Sequence, residues 1–565
     1  MCGIVGLLNL HASIDPEELD SFTDALHHRG PDGRGTFIDG RVGLGHRRLA
    51  ILDLSDAGTC PMPYGGADGQ RYWITFNGEI YNFLELRSEL EQYGHRFRSD
   101  SDTEVILAAY AQWGEECLLR FNGMWAFAIW DREERSLFLA RDRFGIKPLY
   151  YFARDRFAFA SEQKAFLELR SFVPELNTDA VPMVLENSYA FEGMMDLTLL
   201  RGVYRLPAGH ALRVTERGDV RTWQWWRTSD HLPTVPTRYE EQVEGFRDLF
   251  LSAVSLRMRS DVPIGASLSG GIDSSAVSSA MALIRRQEGQ FQRGVANPLL
   301  AFIASFPGTD IDETHYADEV VQHIGAASHH WIFDSDEAVG HVVDWVWSLE
   351  DVYGGIGVPA WGNYRAMRRQ GLTVSLEGHG ADELLAGYPW YFDVPMKAMN
   401  EHLYQCFHVT QQPAILRNID RASMAHGVEV RMPLMDWRLV TYAFALPPES
   451  KLGGGHTKRV LRDAMAGIMP ERIRARRSKL GFNSPMVEWF NGGLSELIFE
   501  LTQDPLWLDS PYWNGRELGS YLQAKTRSRA WTSQDWGECL RLWTYMNLVL
   551  WQKLFLEKSQ LKASR

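Results

Sequence analysis

Much of what narrows this chain is what it has little of. Only five cysteines occur in 565 residues, at Cys2, Cys60, Cys117, Cys406 and Cys539, and none forms a CxxC pair. An odd, sparse set argues against a disulfide framework and against a cysteine-built zinc site. Long apolar runs are missing as well. GMWAFAIW at 123–130 is among the longest, far short of the roughly 20 residues that span a bilayer. The start, MCGIVGLLNL, has no basic leader region and no cleavage signal, so it does not read as a secretory peptide. These shortages predict a cytoplasmic protein with no membrane partner. Basic residues are in deficit: the formal net charge is −14. A general nucleic-acid binder is disfavoured, because phosphate backbones reward a basic face. There is no internal repeat, and no low-complexity tract beyond the three glycines at 453–455.

What is present is ordinary in bulk: 45% hydrophobic and 23% charged residues, as in soluble globular proteins. At roughly 100–200 residues per domain, the length predicts two to four domains. In the first half, short apolar runs such as CGIVGLL, RYWITF, GMWAFAIWD and SLFLARD are separated by Gly, Asp and Arg turns. That spacing predicts sheets packed face to face, with helices at 82–93 and 103–113. The second half alternates strand-like and helical segments: a helix at 239–258, VPIGASL, a helix, LAFIASF, a helix at 313–324, and LTVSL at 372–376. Alternation of this kind predicts a parallel α/β sheet. The last third reads as mostly helical. The chain divides between 210 and 236, where Gly209, Pro233 and Pro236 punctuate it, giving domains at 2–215 and 236–550.

Cys2 follows only the initiator methionine. Removal of Met1 would leave one residue carrying both a nucleophilic thiol and an α-amine of pKa ~7.7–8.0 able to act as a base. Alone, Cys2 reads rather as a small apolar residue opening a buried strand. MCGIVG does not stand alone, however. RGPDG at 29–33, GHRRLAILD at 45–53, FNGEIYN at 76–82 and SDTE at 101–104 follow it in order. This ordered set resembles the class II glutamine amidotransferases. The resemblance implies an N-terminal-nucleophile fold, a four-layer αββα sandwich, in the first 200 residues or so. It implies that Cys2 attacks the glutamine amide and that the Asn77 side chain and the Gly78 N–H hold the oxyanion. Glutamine would be bound by Arg48 at its α-carboxylate and by Glu79 and Asp102 at its α-ammonium, with Asn77 and Gly78 completing the site.

SLSGGIDSS at 267–275 lies between a strand-like and a helical segment. Two glycines permit close backbone approach to phosphate, and a helix N-terminus adds unpaired N–H groups. GxxxxGK[ST] is absent, so this is no Walker A loop. Asp273 would repel bare phosphate, which calls for a bridging Mg²⁺. The stretch resembles the pyrophosphatase loop of enzymes that cleave ATP to AMP and pyrophosphate on a Rossmann-like fold. ATP would be bound by Leu268, Ser269, Gly270, Gly271, Asp273, Ser274 and Ser275, together with Gly378. EGHGADELLAGY at 377–388, RASMAHGVEVRMPLMD at 421–436 and HTKRVLR at 456–462 extend the resemblance to glutamine-hydrolysing asparagine synthetases. It implies Asp273 and Asp382 as Mg²⁺ ligands and Lys458 as the cation at the reacting phosphate. The basic run ERIRARRSK at 471–479 fits a structural or phosphate-side role better than nucleic acid.

An ammonia-releasing domain joined to an adenylating domain amounts to one reaction: ATP activates a carboxylate and glutamine-derived ammonia displaces AMP. Asparagine synthesis from aspartate is the first reading; amidation of a carboxylate on a sugar, peptide or secondary metabolite, or lactam formation, is the alternative. Two departures bear on the choice. Asparagine synthetases typically read SGEGSDE where this chain reads EGHGADE, so the family's catalytic Glu becomes His379 and the preceding Ser becomes Glu377. EDVYGGIGVPAWGNY at 350–364 lacks the Thr- and Arg-bearing segment used around the aspartate site. Oligomeric state is open, with a homodimer among the options.

Overall fold

The computed structural model describes residues 2–66, 70–287, 299–307, 312–478 and 484–557. Among the described residues the first half forms two six-stranded antiparallel sheets. One runs Val203–Arg205, Tyr150–Ala153, Arg156–Ala160, Gly3–Asn9, Val42–Arg48, Gly33–Asp39. The other runs Val220–Gln224, His210–Thr215, Ser136–Arg141, Gly123–Asp131, Tyr72–Ile80, Met62–Tyr64. Alternation along the strands makes the sandwich. Ile4, Leu8, Val42 and Leu44 of the first sheet pack against Ala126, Ala128, Trp130, Leu137 and Leu139 of the second. The second sheet's other face, with Phe76 and Phe127, is covered by Phe83, Leu86, Leu90, Val105 and Ile106 of helices Phe83–Gln92 and Asp102–Trp113. Helix Pro16–Asp24 packs on the first sheet through Leu19 and Phe22. The layers are therefore αββα. The second sheet continues through Gln224, past residue 215, where the sequence reading ends the first domain. The signal was weak because Val220–Gln224 is an exposed edge strand with little apolar alternation.

The second half is built on a five-stranded parallel sheet in the order Ala327–Ile332, Leu300–Ser305, Ile264–Ser267, Val374–Leu376, Glu429–Arg431. The chain leaves Ile264–Ser267 to one side, towards Leu300–Ser305, and later returns on the other with Val374–Leu376. The loops after Ile264–Ser267 and Val374–Leu376 thus emerge side by side at a topological switch point, where α/β sheets bind ligands. Helices dominate from Met396 onward. The last described one, Trp536–Phe555, buries Trp543 and Trp551. Their indole N–H groups donate to the Gly355 and Glu350 carbonyls at 3.1 and 3.0 Å, so this helix holds the 350–355 segment. No helix of the described residues is long and apolar enough to cross a membrane.

Candidate active sites

Cys2 immediately precedes strand Gly3–Asn9, in the middle of the first sheet. Its backbone N–H donates to Asn77 Oδ1 at 3.0 Å, and its carbonyl accepts from Arg29 Nε at 3.1 Å. Asn77 is fully buried on Tyr72–Ile80. With its carbonyl turned to Cys2, its Nδ2 is buried with no hydrogen-bond partner among the described residues. Gly78 follows with φ +152°, and a Cβ there would come within 2.1 Å of the Met124 carbonyl oxygen. Only glycine lets the strand pass at this point. Burial pushes the Cys2 thiol up, with the Leu49 backbone and Arg48 pulling the other way. The Arg48 guanidinium is held over the 53–55 turn, donating to the Ser55 carbonyl at 2.9 Å and to the Asp53 carbonyl.

Asp102, at the start of its helix, accepts the Ile80 N–H at 2.8 Å, which ties it to the strand end carrying Glu79. Both carboxyls are buried, and burial raises both: Glu79 lies well above the usual carboxylate range, and Asp102 is pushed up to about 6. The Glu429 charge adds to each shift, while Arg431 opposes it. Glu429 and Arg431 come from the edge strand of the parallel sheet. Arg431 Nη2 stands 3.3 Å from Glu79, and its Nε donates to Glu429 Oε1 at 2.5 Å. The sequence reading did not foresee that this strand completes the acidic pocket. Its residues stood inside the 421–436 signature but looked like part of the second domain only.

The second site lies at the switch point. Gly270 takes φ +75° and packs so closely on helix Thr314–Ile324 that a Cβ would meet the Ala317 nitrogen at 2.6 Å. Leu268 is buried and donates its N–H to the Phe302 carbonyl at 2.8 Å, anchoring the loop to the sheet. Ser269 and Ser274 hydroxyls lie 3.1 Å apart, and the Gly271 N–H donates to Ser269 Oγ at 3.3 Å. Gly271 caps helix Ile272–Arg286, and the Ser275 hydroxyl inside its first turn is buried with no hydrogen-bond partner among the described residues. Gly378 leans on this turn: a Cβ there would lie 2.6 Å from Asp273 Cβ. Lys458 Nζ lies 2.5 Å from Asp273 Oδ2 and 2.7 Å from Asp382 Oδ1. Burial lowers its pKa, but the two carboxylates raise it overall. Two carboxylates from different loops therefore converge on one cation. That hard-oxygen set suits Mg²⁺, whose remaining ligands in such sites are water and phosphate. Groups of three or more protein metal donors are absent among the described residues.

His379 lies one residue beyond Gly378. Its Nε2 is 2.8 Å from Glu377 Oε2, and burial, which lowers its pKa, is outweighed by Glu377, Glu383 and Asp273, so the imidazole sits above its ordinary value. The two acidic residues that open the 350–364 segment are engaged elsewhere. Glu350 accepts the Gln163 and Lys164 N–H groups and pairs with Arg421, and Asp351 pairs with Arg417 at 2.6 Å. In the basic run, Arg476 pairs with Glu313 and reaches the Gly270 carbonyl, and Arg474 pairs with Glu471. Lys479, the last residue of that run, lies outside the described residues, as does Met1.

Two family models match the chain. Residues 1–226 match the model of the glutamine amidotransferase domain, and residues 245–398 and 395–553 match that of asparagine synthase. The chain is 29% identical to glutamine-hydrolyzing asparagine synthetase 1 of Bacillus subtilis, over 99% of this chain and 97% of the relative. A Mycobacterium bovis relative is 30% identical over 99% and 98%. Amidase chyE of Penicillium rubens is 33% identical over 66% of this chain and 55% of its own. With its second half under one model and its first half under the other, this chain belongs to the asparagine synthase family and carries a glutamine amidotransferase domain at its amino end.

Proposed function

We propose that this chain is a ligase that uses glutamine and ATP to amidate a carboxylate, forming AMP and pyrophosphate. The observation that carries the glutaminase half is Asn77: it is fastened to the Cys2 backbone while its buried Nδ2 has no acceptor among the described residues. An unspent buried donor beside the nucleophile is what an oxyanion needs, since it costs no reorganisation when charge develops. Cys2, freed of Met1, attacks the glutamine amide. Asn77 Nδ2 and the Gly78 N–H receive the oxygen, Arg48 takes the α-carboxylate, and Glu79 and Asp102 take the α-ammonium. The raised carboxyls support the last assignment, because an entering cation relieves the cost of ionising them.

In the second domain the 268–275 loop and Gly378 hold ATP. Asp273 and Asp382 would hold Mg²⁺, which when bound would neutralise phosphate charge. Lys458 stabilises the α-phosphate as a carboxylate oxygen attacks it. Ammonia crosses between the domains, away from water that would hydrolyse both acyl intermediates. His379 accepts a proton from the incoming nitrogen. The pairing of His379 with Glu377, and the commitment of Glu350 and Asp351 to other partners, favour an acceptor other than free aspartate, such as a carboxylate on a sugar, peptide or secondary metabolite. Acceptor-dependent pyrophosphate release across a panel of carboxylates tests this. Strong release with the true acceptor and weak release with aspartate is expected; efficient asparagine formation would replace it with ordinary asparagine synthesis.

A further inference from the structure

Glu377 is built into the crest of the parallel sheet and is 4% exposed. The Tyr364 hydroxyl donates to its Oε2 at 3.0 Å and the Ser375 hydroxyl to its Oε1 at 2.9 Å. Its own N–H donates to the Arg431 carbonyl at 2.9 Å. Two hydroxyl donors and a fixed backbone hold the carboxylate in one place. The same Oε2 then meets His379 Nε2 at 2.8 Å. An ionised carboxylate only accepts, so the ring must donate here. The neutral imidazole therefore carries its hydrogen on Nε2 and its lone pair on Nδ1. The second glutamate of the motif, Glu383, accepts from the Tyr388 hydroxyl at 2.8 Å. His379 follows Gly378, which packs on Asp273 of the phosphate loop, and the Asp273 charge acts on its ring, so the imidazole lies beside that loop.

We propose that Glu377 is the positioning residue of amide formation, fixing the tautomer and ring plane of His379 so that Nδ1 receives the proton of the attacking ammonia. This rests on the acyl-adenylate reading above. The ammonia lone pair forms the C–N bond. The acyl C–O bond to phosphate breaks, and AMP leaves with that oxygen and the electron pair. One N–H proton passes to Nδ1, and the imidazolium formed is held by a charge-assisted bond from Nε2–H to Glu377. An oriented base of this kind contributes about 10²–10⁴-fold.

The test uses the full chain with ammonium chloride as nitrogen source and the acceptor found by pyrophosphate release. In Glu377→Gln, ATP–pyrophosphate exchange and the KM values for ATP and acceptor should stay within about threefold of the unaltered protein, while kcat for amide formation falls about 100-fold. Hydroxylamine, whose adduct loses its proton to water readily, should restore most of that loss. His379→Ala should show the same split, and the double variant should be no worse than either single one, because the two act as a unit. Equal loss of exchange and amide formation in Glu377→Gln, unimpaired amide formation, or losses that multiply in the double variant would overturn the proposal. If Glu377→Gln fails to fold, His379→Ala decides: undiminished ammonia-dependent synthesis in that variant overturns it. Exchange absent from the unaltered protein with every carboxylate would instead overturn the adenylation reading, and this proposal with it.

Discussion

Asn77 faces two tasks with one amide, and Cys2 sets how they divide. The Cys2 N–H occupies the Asn77 carbonyl at 3.0 Å and leaves the amide nitrogen without a partner among the described residues. Cys2→Ala should therefore remove glutamine-dependent synthesis by about 10³-fold or more while ammonia-dependent synthesis stays within about twofold, both read as pyrophosphate release. A second residue-scale expectation concerns Asp102, pushed up to about 6 mainly by burial. A raised acid binds its proton more tightly in the folded protein, so ionising it costs stability as pH rises from its ordinary value through about 6. Glutamine's ammonium repays that cost. The KM for glutamine should thus rise as pH falls below about 6, and Asp102→Asn should flatten the profile while raising KM throughout. A KM independent of pH between 5 and 7 would contradict the ammonium role. The sequence singles out Cys2, Asn77, Arg48, Asp102 and the 268–275 loop because each sits in a short contiguous motif. It does not single out Glu429 and Arg431, because a side chain that crosses to another domain leaves no local trace.

At the scale of elements, the second site depends on how closely two strand ends approach. Gly378 has no room for a Cβ against Asp273. Gly378→Ala should displace the 268–275 loop and lower ATP–pyrophosphate exchange at least tenfold, with glutamine hydrolysis unaffected; undiminished exchange would show that the two loops do not share a site. Strands and helices were foreseen where hydrophobic period and Gly punctuation agree, as at Ile264–Ser267 and helix Thr314–Ile324. The edge strand Val220–Gln224 escaped, since an exposed strand with little apolar alternation resembles a linker. The clamp that Trp543 and Trp551 place on 350–355 also escaped. An indole N–H hydrogen bond cannot be read from an apolar helical stripe.

For the whole molecule, a buried ionic network joins the two halves. Arg29 of the first donates to Glu162 at 2.6 Å and to Asp420 of the second at 2.8 Å, while Arg421 pairs with Asp420 and with Glu350. Arg29 also holds the Cys2 carbonyl, so the interface braces the nucleophile's strand. Asp420→Ala leaves two buried guanidinium groups short of a partner. Breaking such a pair costs about 3–5 kcal/mol, so the variant should melt well below the unaltered protein and lose glutamine-dependent synthesis before its ammonia-dependent reaction. An unchanged melting transition would mean that the network contributes little. The domain pairing itself was legible in the order of motifs, whereas the network was not, because its members are single charged residues scattered through both halves. The central claim is that glutamine nitrogen is transferred to an ATP-activated carboxylate, and amide-¹⁵N glutamine measures it most directly. With ATP and the true acceptor, the account predicts ¹⁵N in the product carboxamide, with glutamate, AMP and pyrophosphate formed in equal amounts to it. Product lacking ¹⁵N, or ADP and phosphate in place of AMP and pyrophosphate, would contradict it.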